Sequence, residues 1–195
     1  MKQEEKLDYL RKLAEEAAIL RKSLVEESGI EILDLAAVIS GVIGSGGKLL
    51  IAGNGGSAAD ASHFAGEMVV RLSAEKHRQA LPTVALCTDP AVMTAAANDF
   101  GFENIFARQV EAIGQKGDML FVISTSGNSV NLIKAVHVAR ERGLLTAGLL
   151  GGKGGKLVSK VDRALIVPHL STQRIQEEHI FVIHLLVELV ESDLL

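Results

Sequence analysis

His63 and Glu67 stand four residues apart within GGKLLIAGNGGSAADASHFAGEM, residues 46 to 68. At helical spacing the two share a face, and an imidazole beside a carboxylate can move protons or bind a divalent ion. Upstream, residues 49 to 52 read as a buried strand, followed by a turn with Gly53, Asn54, Gly55, Gly56 and Ser57, and then a helix. A glycine turn feeding a helix N-terminus suits an anion, because the first-turn amides are unpaired and point outward. An anion site followed by a reactive pair predicts an enzyme acting on a small phosphorylated molecule.

The same pattern occurs twice. GKLLIAGNGGSAAD is echoed by GDMLFVISTSGNSVN, residues 117 to 131: an apolar strand, a turn of Gly, Asn and Ser, then a helix. Ligands of open α/β sheets bind at the carboxyl ends of strands, so the two turns can converge on one crevice. Ser124, Thr125, Ser126 and Ser129 place four hydroxyls in six residues. Capping a helix needs only one of them, so the turn reads as a phosphate cradle, with Ser57 as its fifth contributor. The first turn also fits the permissive dinucleotide form G-x-G-x-x-A, which wants an acid about 20 residues on, at the end of the next strand. Glu75 lies before that strand and Asp89 falls more than thirty residues away, so dinucleotide binding is the weaker reading. A P-loop is excluded because no Gly-Lys-Ser/Thr follows the turn.

Near the other end, RIQEEHIFVIHLL sets Gln176, His179 and His184 in an otherwise apolar helix. A histidine among Ile and Leu is costly unless satisfied, so His184 needs a partner that the first pair can supply. Two histidines, a carboxylate and an amide oxygen would suit zinc or another first-row divalent ion. The helical rise separates Gln176 from His184 by about 12 Å, so both reach one ion only with extended side chains or a second subunit's help. Asp99 either binds sugar hydroxyls or caps its turn. Arg71, four residues after Glu67, is a salt-bridge partner or a hand for the substrate. Residues 151–156, GGKGGK, read as a flexible loop, Cys87 as packing, and His77 and His137 as surface residues.

The elements that must hold these groups follow from periodicity. Residues 4–27 read as a helix with Leu10, Leu13, Ala17, Leu20 and Leu24 in one stripe, suited to assembly with another copy; Ser28-Gly29 breaks it before a second helix over 30–43. Further strands are expected at 81–86, 119–123, 144–149 and 164–167, with helices at 90–97, 105–113, 130–142, 156–159 and 172–191. Short apolar strands without alternation are buried on both faces, which predicts a layered α/β fold with a five-stranded, mostly parallel sheet. The length of 195 residues suits one domain. No apolar run spans a membrane, and the charged start, MKQEEKLDYL, is not a secretory signal. One cysteine suits a reducing compartment. A net charge of -4 with no basic patch argues against nucleic acid as a partner.

GNGGSAADASHFAGEM, ANDFGFENIF, GDMLFVISTSGNSVNLIKA and RIQEEHIFVIH, in that order over almost the whole chain, resemble the phosphoheptose isomerases of the sugar isomerase domain superfamily. The resemblance implies a three-layer α/β/α sandwich with N-terminal helices, assembled as a cytoplasmic homotetramer with active sites at subunit boundaries. It implies isomerisation of sedoheptulose 7-phosphate to D-glycero-D-manno-heptose 7-phosphate, in carbohydrate metabolism leading to lipopolysaccharide biosynthesis. Carried over by motif, zinc ligands fall on His63, Glu67, Gln176 and His184, and phosphate-binding hydroxyls on Ser57, Ser124, Ser126 and Ser129, with Thr125 in the same loop. Asn54, Arg71 and Asp99 match positions lining the sugar, and Gln176 also faces it; Glu67 and His184 match the acid and base. Gln173 departs from the aspartate of many members. The alternatives are a non-catalytic sugar-phosphate binder, a replication-initiator-binding paralogue, or an isomerase of another phosphosugar.

Overall fold

The apolar segments become strands because they are too short for helices and offer no polar face to solvent. In the computed structural model, which describes residues 2–195, they are β1 (Leu49–Gly53), β2 (Thr83–Ala85), β3 (Met119–Ser124), β4 (Leu145–Gly151) and β5 (Arg163–Val167). β1 and β3 are buried at every position. The order is β2-β1-β3-β4-β5 and every neighbouring pair is parallel, so the sheet is wholly rather than mostly parallel. Leu49 pairs with Thr83 on one side and Met119 on the other. The strand order therefore reverses between β1 and β3, and a crevice opens at their carboxyl ends.

Six helices cover the sheet: α1 (Gln3–Gly44), α2 (Gly56–Val69), α3 (Pro90–Phe100), α4 (Ile105–Ile113), α5 (Val130–Glu141) and α6 (Thr172–Leu194). Successive strand residues point to opposite faces, and the two cores divide accordingly. Ile51, Phe121 and Leu149 meet Leu24 and Ile39 of α1, Phe64 and Met68 of α2, and Val182 and Leu186 of α6. Leu50, Leu120 and Val122 meet Ala96 of α3, Phe106 and Val110 of α4, and Leu132 and Val136 of α5. The result is the three-layer α/β/α sandwich.

Two expected features differ. The break at Ser28-Gly29 is only a kink: Ser28 leaves helical geometry at φ -125° and ψ 15°, and α1 continues through it. The short helix expected over 156–159 is a run of turns, because Leu157 donates its amide to Gly127 O at 2.9 Å instead of starting a helix. Among the described residues no helix is long and apolar enough to cross a membrane.

Candidate active site

The two turns meet where the strand order reverses. After β1, Ser57 N donates to Asn54 O at 3.0 Å, and Ser57 itself is buried in the first turn of α2. After β3, Ser124 Oγ accepts from Gly127 N at 3.1 Å and lies 3.5 Å from Ser129 Oγ. Ser126 Oγ accepts from Asn128 N at 3.2 Å. Ser129 is the N-cap of α5, yet its hydroxyl makes no capping bond and faces Ser124 Oγ instead. A reciprocal amide pair ties the turns together: Asn54 Nδ2 donates to Asn131 Oδ1 at 3.0 Å and Asn131 Nδ2 to Asn54 Oδ1 at 2.8 Å. Asn131 is buried, and its only sequence signal was its place in the repeated pattern.

The glycine-rich loop 151–156 has a task after all. Gly127, at φ +63°, approaches Gly154 so closely that a Cβ would fall 2.0 Å from Gly154 O. Lys156 N donates to Asn128 Oδ1 at 3.1 Å. The loop buttresses the hydroxyl turn, and a cleft of about 320 Å³ lies between them, lined by Thr125, Ser126, Asn128, Lys153, His169 and Thr172 among others.

α6 runs beside α2 in the same direction. At one end a Cβ on Gly56 would fall 2.1 Å from Gln176 Nε2, so glycine there makes room for the amide. Two turns on, His63 Nε2 and His184 Nε2 are 2.8 Å apart, with the rings nearly edge to face. His63 Nδ1 faces Glu67 Oε1 at 3.6 Å. Glu67, His63 and His184 thus form a chain of three titratable groups across two helices.

The zinc set expected from His63, Glu67, Gln176 and His184 is not formed. Among the described residues no group of three or more His, Cys, Asp or Glu side chains could hold a metal ion, which corrects both the zinc cofactor and the metal-binding assignment. The reason is geometric. Two imidazoles on a tetrahedral zinc, each about 2.0–2.1 Å from it, keep their nitrogens about 3.3 Å apart, whereas here the separation is a hydrogen bond. Glu67 faces the other nitrogen of His63, and Gln176 is occupied against Gly56, two helical turns from His184.

Arg71 and Asp99 bond to near neighbours in the chain. Arg71 is exposed after α2 and donates to Ala74 O at 3.3 Å, and Asp99, exposed on α3, accepts from Asn98 Nδ2 at 2.8 Å. Asp60, one turn before His63, went unremarked in the sequence. Burial pushes its carboxyl up to about 6 against the pull of His63, and its Oδ2 is buried without a hydrogen-bond partner.

A wholly parallel sheet with hydroxyl-bearing turns at its β1/β3 reversal is a doubly wound α/β site for an anionic ligand, and the SIS domain family model matches residues 12–151. A phosphoheptose isomerase of Chlorobaculum tepidum is 49% identical over 90% of this chain and 85% of its own length. Solved structures of phosphoheptose isomerases from Neisseria gonorrhoeae (TM-score 0.89, 39% identity, 95% of this chain and 98% of that one) and Francisella tularensis (0.91, 34%, 96% and 98%) share the fold. The chain belongs to the phosphoheptose isomerase family.

Proposed function

We infer that the protein is an aldose–ketose isomerase that converts sedoheptulose 7-phosphate to D-glycero-D-manno-heptose 7-phosphate, the first step toward the heptose of lipopolysaccharide. The observation that carries this reading is a single helix, α2, with hydroxyl turns at its N-terminus and the Glu67–His63–His184 chain along its flank. Ser57 and His63 are about 9 Å apart along the helix axis, from the rise per residue. A sugar phosphate can span that distance, with its phosphate in the hydroxyl cradle and its carbonyl end at the trio. The amides and hydroxyls of Ser57, Ser124, Thr125, Ser126 and Ser129 hold the phosphate, and that remote grip orients the reacting carbons. Asn54, locked by Asn131, and Gln176 flank the sugar between the two ends.

Moving the carbonyl from C2 to C1 removes a proton from C1 and delivers one to C2 through an enediol or enediolate. In the His63–His184 contact one ring donates and the other accepts, and His63 turns its second nitrogen toward Glu67. Glu67 and His184 divide the base and acid roles; His63 links them so that a proton gained at one end is compensated at the other. The reaction takes place in the cytoplasm, and the protein works as a homotetramer.

The test is direct assay of the purified protein on sedoheptulose 7-phosphate beside other ketose phosphates. Glu67→Gln and His184→Gln are each expected to abolish turnover and leave assembly intact. Full activity in both variants removes the catalytic assignment; a faster rate on another sugar removes the substrate.

A further inference from the structure

Arg78 stands in the polar stretch 74–79 after α2, where a cation is ordinarily solvated. Its side chain is instead only 3% exposed. Nη2 donates to Glu67 O at 2.6 Å, Nη1 to Met68 O at 2.8 Å and to Gln79 O at 3.0 Å, and Nε to Glu191 Oε1 at 2.7 Å. The last carbonyls of a helix have no intrahelical partner, and a planar guanidinium can serve two of them while its remaining edge pairs with a carboxylate. Glu191 lies on α6, seven residues beyond His184, hence on the same face and about 10 Å further along. It is fully buried. Burial works to raise its carboxyl, but the hydrogen bond and charge of Arg78, the Leu72 amide and Lys76 outweigh this and hold it below the ordinary carboxylate range.

α2 and α6 are therefore joined at three levels: Gly56 with Gln176, His63 with His184, and the Glu67 and Met68 carbonyls with Glu191 through Arg78. We propose that Arg78 is a positioning residue that pins the carboxyl end of α2 to α6 and so sets the geometry of Glu67, His63 and His184. The proposal rests on the reading of that trio given above. Arg78 grips the backbone of Glu67 itself, one of the three groups. It does not touch substrate, because it is buried and sits about 18 Å along α2 from the phosphate turn. Beyond the helix's own hydrogen bonds, the last turn of α2 is held by Arg78, by Leu81 N on Met68 O and by the burial of the Met68 side chain. Without the guanidinium the Glu67 carbonyl and Glu191 lose their shared partner, and this end of α2 is free to shift against α6.

An ion pair of purely structural value would affect folding alone, so the test separates folding from geometry in the full-length protein. Arg78→Met is expected to lower kcat about 100-fold, the effect of a misplacement of about 1 Å, with KM changed less than about twofold. Arg78→Lys recovers part of kcat, because an ammonium can pair with Glu191 but cannot fork across both carbonyls. Arg78→Met combined with Glu191→Leu leaves no unpaired buried charge, so the thermal midpoint returns while kcat stays low. The ring nitrogen resonances of His63 and His184 shift in both Met-bearing variants. A double variant that regains kcat with its thermal midpoint, or ring resonances unmoved from wild type, overturns the proposal. If the wild-type protein does not turn over sedoheptulose 7-phosphate, the functional reading fails. The histidine spectra then decide the role of Arg78 alone: shifted resonances support it and unmoved ones overturn it.

Discussion

Asp60 and His179 are both buried, both hold polar atoms without hydrogen-bond partners, and act on stability in opposite directions with pH. Asp60 is pushed up to about 6 by burial, against the pull of His63. The folded chain therefore holds that proton more tightly than the unfolded chain, and the stabilisation is complete below about pH 4 and lost as pH rises through 6. His179 is pushed down to about 4 by burial, from 6.5. Its neutral form favours the fold above 6.5, and that contribution is lost as pH falls toward 4. In the wild type the two effects oppose each other between about pH 4 and 6. Asp60→Asn is expected to gain on the order of 3 kcal/mol above pH 6, from the cost of ionising a carboxyl held that far above its ordinary value. The acid-side loss due to His179 then emerges undiluted. Urea denaturation of both proteins across this range checks it; an Asn variant no more stable than wild type at neutral pH would sink the idea. His179 stood out in the sequence among the apolar residues of its helix, whereas the role of Asp60 was not legible there. An aspartate in SAADASHF reads as a solvated helix face, and only the packing of neighbouring elements decides that it is buried.

At the scale of elements, two glycines that look alike in the sequence behave differently. Gly127 has φ +63°, and a Cβ there would meet backbone, Gly154 O at 2.0 Å. Neither the conformation nor the neighbour can yield cheaply, so Gly127→Ala is expected to lose about 2–3 kcal/mol by chemical denaturation. Gly56 begins a helix, and its Cβ would meet only the flexible end of Gln176. Gly56→Ala should fold as well as wild type, since alanine is the better helix former. Displacing Gln176 should still raise KM about tenfold, the cost of one lost hydrogen bond. Equal thermal loss in both variants would contradict the distinction. The elements themselves were largely legible. The helix expected over 105–113 is α4 residue for residue, and the apolar strand segments all found the sheet. The failures have local causes. One non-helical residue, Ser28, was absorbed by packing on either side, and the turns at 155–160 follow the tertiary bond that Leu157 N donates to Gly127 O. The zinc set failed because spacing along α6 says which residues share a face but not which nitrogen each ring presents across to α2.

At the scale of the whole molecule, the apolar residues of α1, those of the stripe and Ile19 beside it, divide in two. Leu20 and Leu24 are buried against the protein's own core, whereas Leu10 and Ile19 remain 61% and 64% exposed. Leu7 and Tyr9 add to the uncovered surface. A cavity of about 740 Å³ between α1 and α6 is lined by Val25, Ile30, Leu33, Leu185 and Leu189. A helical half this apolar is poorly supported when solvated alone, and a patch of this kind marks a contact surface. Together with the family resemblance, this leads us to expect four chains per particle by light scattering at micromolar concentration. Leu10→Asp combined with Ile19→Asp should lower that mass without unfolding the chain, because both residues lie outside the core. Arg71 and Asp99, which within one chain bond to Ala74 and Asn98, are then expected to meet the sugar in the site of a neighbouring copy. Loss of mass is therefore expected to carry loss of turnover, while the His63–His184 contact, made within one chain, persists in the histidine spectra. A dissociated variant with undiminished turnover would show that one chain completes the site by itself, and would remove both residues from it.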